Sequence, residues 1–128
     1  MKLAANLVSI YVGSAIFFIW GVPHIIATRD VVAGFGPIST ENERIITMTC
    51  ISDGLLLCFI GSLVLLTTIW GGHNNPVTVN IFRLSALTLV LLAVLTWLTG
   101  ARTKIVPMKI CPFVKLLAAI LFFIGGGL

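Results

Sequence analysis

The chain has 128 residues, of which 59% are apolar and 9% charged, whereas a soluble domain has roughly 45–50% apolar and 25% charged residues. That composition excludes a soluble globular domain. Eight Lys/Arg against four Asp/Glu leave a formal charge of +4, which in so apolar a chain reads as a membrane-topology signal rather than a nucleic-acid-binding surface.

Four apolar runs stand out, at about 3–27, 45–70, 79–99 and 110–127, each long enough to cross a hydrocarbon layer that needs about 20 residues. None alternates apolar and polar positions as barrel strands do, so helices are the structure that satisfies every backbone group in lipid. The expected fold is all-α, a single integral membrane domain built as an antiparallel four-helix bundle.

In the first run Lys2 precedes an apolar stretch that continues through Phe17, Phe18, Ile19 and Trp20 to Ile26. It reads as a span rather than a cleaved signal, whose apolar region is shorter. Pro23 withholds the N–H that the Ile19 carbonyl would accept, so a bend or local opening is expected there.

The first connection, 28–44, is the longest and is expected to be non-helical, with Gly34-Phe35-Gly36-Pro37 forming a turn whose apolar tip lies in the membrane interface. Thr40 and Glu43 have capping-box spacing. They predict that the second span begins at Glu41 and, at about 30 residues, runs roughly 45 Å and protrudes from the membrane. Gly54, Gly61 and Ser62 give it a small-residue face for close helix contact.

The second connection, 71–76, is a Gly/Asn/Pro turn that makes the second and third spans antiparallel neighbours. The third, 100–109, carries Arg102, Lys104 and Lys109. With Arg29 and Arg44 these put most of the positive charge on the side of the first and third connections. The opposite side holds Lys2 and Arg83, whose long stem lets it snorkel to headgroups. The positive-inside rule therefore places the first and third connections in the cytoplasm and both termini outside, as in a bacterial-type inner or plasma membrane.

Ionisable groups inside spans are costly and usually face a bundle interior or cavity. Asp53 lies about 12 Å into the second span, Lys115 about 9 Å into the fourth, and His24 about 6 Å before the end of the first. All three depths run from the same membrane face. Thr49 and Cys50 flank Asp53, Cys111 flanks Lys115, and Trp20 lies one turn from His24. The expectation is a ligand-binding pocket lined by His24, Thr49, Cys50, Asp53 and Lys115, with Trp20 and Trp97 as its aromatic wall. Beside it stand two plainer readings. Asp53 and Lys115 can be a structural ion pair that fixes helix register, or Lys115 can snorkel away and leave Asp53 alone.

Cys50, Cys58 and Cys111 contain no C-x-x-C pair, and an odd count cannot pair fully within one chain. Cys50 and Cys111 together with His24 would make a soft metal site, but Cys58 lies too far along the second span to join them. The preferred reading is small packing residues and no metal. Phosphate-binding loop, zinc-protease and serine-elbow motifs do not occur in the sequence.

In architecture, length and the polar end of the first span around Trp20-Gly21-Val22-Pro23-His24, the chain resembles the DoxX-like group of small four-helix membrane proteins. That group includes quinone-linked oxidoreductase subunits. The resemblance implies an intramembrane pocket for an apolar small molecule or a quinone, and it transfers no functional residue.

The first functional reading is thus a small membrane protein surrounded by lipid, with a polar pocket near the cytoplasmic face that binds a lipid-soluble molecule such as a quinone or serves a membrane redox system. The second is an accessory subunit of a larger membrane complex or a homo-oligomer. The third is a small proton-coupled transporter built around Asp53.

Overall fold

The computed structural model describes residues 1–127, with the side chains of Lys2 and Leu3 left aside. Lys2 as a topology charge therefore lies outside the described side chains. Five α-helices follow in order: α1 (Lys2–Ile26), α2 (Thr28–Ala33), α3 (Thr40–Gly71), α4 (Pro76–Leu98) and α5 (Val106–Gly125). Among the described residues there is no strand. Four of the helices are long and apolar enough to cross a membrane, which supports an integral, multi-pass membrane protein.

The outward surface agrees with that conclusion. Ile19, Phe59, Leu84 and Leu91 are all more than 60% exposed, a placement that water would penalise and lipid does not. The interior cluster holds Ile10, Phe17, Leu57, Val64, Phe82, Leu89 and Phe122. Phe17 and Phe122 meet at a ring separation of 5.8 Å.

Helix α1 packs on α3 and α5, and α5 packs on α4, whereas α3 and α4 touch sparingly. The close α1–α3 approach depends on absent side chains. A Cβ placed on Gly54 would lie 3.0 Å from the Gly21 carbonyl oxygen, and one on Gly21 would lie 3.0 Å from the Gly54 carbonyl oxygen. Gly61 meets the Ser14 carbonyl in the same way, so the small-residue face read in the sequence is the contact face.

The first connection departs from expectation. Residues Thr28–Ala33 form α2 rather than a loop, because Thr28, Val31 and Val32 recur at helical spacing and bury one face while Arg29 and Asp30 stay exposed. Thr28 Oγ1 donates to the His24 carbonyl at 3.1 Å, which ties α2 to the end of α1. Gly36, at φ +73°, turns the chain back.

The start of α3 also differs by one residue from the sequence expectation. Ser39, not Thr40, is the N-cap, and its hydroxyl accepts from the Asn42 N–H at 3.2 Å. Ser39 has the extended backbone that an N-cap needs (φ −65°, ψ 151°), and Thr40 is already helical. The resulting 32 residues span about 48 Å, well beyond a hydrocarbon core of about 30 Å.

Helix α5 begins at Val106, earlier than the apolar run, with Pro107 in its first turn. Proline suits that position because no intrahelical acceptor is available for an N–H there. The third connection is accordingly short, a 3-10 turn over Gly100–Arg102 closed by Thr103, which donates to the Gly100 carbonyl at 2.7 Å.

Candidate functional site

Every described charged residue is exposed except two, Asp53 and Lys115. Lys115 sits on the inward face of α5, 2% exposed. Its side chain leans toward the helix N-terminus, as helical side chains do, and so reaches the end of the fold where the first and third connections lie. There its Nζ stands 3.1 Å from both carboxylate oxygens of Asp53 on α3 and 3.1 Å from Thr96 Oγ1 on α4. His24, near the end of α1, places Nε2 3.4 Å from Asp53 Oδ2. Four helices thus contribute one polar side chain each to a single cluster.

The cluster forms the inner wall of a cleft of about 410 Å³ between α3 and α4. The two helices are joined by the short 72–75 connection and tied at that end by Thr78, whose hydroxyl donates to the Thr67 carbonyl at 3.4 Å. At the other end they stand apart, with Thr49, Ser52 and Leu95 exposed along the rim. The Asp53 side chain remains 24% exposed, against 7% for His24 and 2% for Lys115. Within the trio the carboxylate is therefore the most accessible group.

The sequence-derived residues are distributed as follows. His24, Asp53 and Lys115 meet. Thr49 and Cys50 line the same cleft, Thr49 exposed with its hydroxyl donating to the Ile45 carbonyl at 2.9 Å, Cys50 buried. Trp20 stands behind that trio, beside His24, and does not line the cleft. Its large ring packs against the apolar cluster and lines a separate cavity of about 180 Å³ with Pro23, His24 and Pro107. Trp97 is half exposed and stacks edge-on against Phe113, with ring centroids 5.4 Å apart, on a different face. The expected aromatic wall is therefore replaced by Leu56, Leu92 and Leu95.

Lys115 does not snorkel, because Asp53 and Thr96 supply its polar partners inside the fold. Arg83 is exposed, as a headgroup-facing residue would be. Thr96 was not singled out by the sequence. A threonine inside an apolar helix ordinarily bonds its own backbone, and Thr96 does donate to the Leu92 carbonyl at 2.7 Å. Only the position of Lys115 gives its free lone pair a partner.

One ligand atom each from His24, Asp53 and Cys111 lies within 4.8 Å of the others. This trio differs from the cysteine pair with His24 considered above. The Lys115 ammonium, at 3.1 Å from both carboxylate oxygens, already neutralises the one carboxylate of the set and would repel a cation placed beside it, so the set fits a metal poorly.

The chain matches no family model, no curated protein and no solved structure.

Proposed function

We propose that the protein is a small membrane protein that takes a lipid-soluble molecule into the cleft between α3 and α4 and holds its polar head against Asp53. The observation that carries this reading is the unequal burial of one ion pair: the ammonium is sealed and the carboxylate faces the cleft. Fixing helix register needs only the contact between the two charges and does not call for a cleft at the carboxylate. The cleft volume lies within the roughly 300–1,000 Å³ range of small-molecule sites, and its leucines suit an alkyl tail.

In this reading the four spans stand in the membrane as an antiparallel bundle. The cleft lies toward the cytoplasmic side, where Arg29, Arg44, Arg102, Lys104 and Lys109 collect, and the termini lie outside. The ligand class includes isoprenoid quinones, in keeping with the resemblance to the DoxX-like group. The protein is then a carrier or binding partner for a membrane redox system, and no catalytic residue is assigned.

A photoreactive alkyl hydroquinone, kept reduced, tests the proposal in protein reconstituted into nanodiscs. The expected labels fall on the α3 segment 49–56 and the α4 segment 92–96, and excess unlabelled hydroquinone suppresses them. Labels scattered over all lipid-facing surfaces and insensitive to competitor would overturn it.

A further inference from the structure

The side chains that line the cleft are committed in one direction. Lys115 has three N–H donors: Asp53 Oδ1 and Oδ2, both 3.1 Å away, share one, Thr96 Oγ1 at 3.1 Å takes a second, and with the side chain only 2% exposed the third is not presented at the open side of the cleft. The threonine hydroxyls along the cleft are likewise spent as donors. Thr49 gives its hydrogen to the Ile45 carbonyl at 2.9 Å, Thr96 to Leu92 at 2.7 Å and Thr99 to Leu95 at 2.6 Å. What these groups still offer is lone pairs.

His24 Nε2 faces Asp53 rather than open space, and the thiols of Cys50 and Cys111 are weak donors. The uncommitted hydroxyl among the lining side chains is Ser52, on the exposed rim. The strongest acceptor, the Asp53 carboxylate, is also the member of its pair left partly open. The charges of Asp53 and Lys115 cancel, and a cationic head on Asp53 would come close to the ammonium already there.

Building on the proposed binding role of the cleft, we infer that it selects an uncharged, hydrogen-bond-donating head: a lipid-soluble alcohol or phenol, such as the reduced form of a quinone, rather than a carbonyl compound or a cation. A ligand hydroxyl donates to Asp53 or to a threonine oxygen. A carbonyl in the same place meets lone pairs and gains no hydrogen bond from them.

The test compares three probes of equal alkyl length in nanodiscs holding the full chain: para-dodecylphenol, its methyl ether and dodecylammonium. Binding is measured above partition into empty discs. Hydrogen bonds to charged groups predict that the phenol binds roughly 10- to 100-fold tighter than the ether, and tighter than the ammonium. In the double variant Asp53→Val/Lys115→Met, which removes both charges together, the preference for phenol over ether falls below about threefold, losing most of the charged-acceptor contribution.

Equal or tighter binding of the ether, or tighter binding of the ammonium, overturns the donor-head inference and leaves the cleft a binding site. A phenol preference that persists in the double variant places the acceptor elsewhere and also overturns it. Specific binding of none of the three probes overturns both this inference and the binding role.

Discussion

Lys115 Nζ lies 3.1 Å from each carboxylate oxygen of Asp53, a residue 62 positions earlier in the chain, and joins α5 to α3 inside an otherwise apolar fold. The two partners are not equivalent, since the ammonium is sealed and the carboxylate is partly open.

That asymmetry predicts unequal costs. Asp53→Ala strands a buried ammonium and is expected to destabilise the protein by about 3 kcal/mol or more. Lys115→Met leaves a carboxylate that can be hydrated through the cleft, so its cost is smaller. The double variant Asp53→Val/Lys115→Met recovers most of the loss. Thermal unfolding of the purified variants in one detergent gives the ranking, and equal losses for the two single variants would contradict it.

Helix contact at Gly54 leaves no space for a side chain. Gly54→Val forces atoms against Ile25 and the Gly21 carbonyl and is expected to cost roughly 1–3 kcal/mol by overpacking. Leu55→Val, on the exposed face one residue away, changes the melting temperature little. A Gly54→Val protein as stable as the parent would mean that α1 and α3 do not meet there.

At the start of α3, Ser39→Ala removes the hydroxyl that accepts from Asn42 and is expected to cost about 1 kcal/mol. Thr40→Ala, which removes no cap, costs little. The reverse order in thermal melts would restore Thr40 as the capping residue.

The sequence carried much of the architecture because lipid imposes it. Twenty-residue apolar runs have few ways to satisfy their backbone, and four such helices are present. The depth shared by Asp53, Lys115 and His24 was legible from helical rise alone, since each connection starts a new count from the same face. Rotation about each helix axis was not legible. Trp20 and Trp97 lie at suitable depths, yet the first turns into the apolar cluster and the second packs outward on Phe113.

Thr96 escaped notice because its hydroxyl looks self-sufficient along the chain, and its second partner arrives from α5. The Gly34-Phe35-Gly36-Pro37 turn makes the whole first connection look like a loop, yet Thr28, Val31 and Val32 just before it hold helical spacing. At Ser39 and Thr40 two adjacent hydroxyl residues competed for one cap. The spacing to Glu43 favoured the wrong one, because backbone conformation rather than side-chain identity decides the position.

A high-resolution diffraction map of the protein crystallised from its native lipid in a lipidic mesophase tests most directly whether the cleft between α3 and α4 holds a small molecule whose head rests on Asp53. The expected map shows an elongated non-protein feature, its head within hydrogen-bond distance of Asp53 and its tail passing Leu56 and Leu95 toward the lipid. A cleft closed by direct contact of α3 with α4, or filled by an acyl chain with no head group at Asp53, would contradict it.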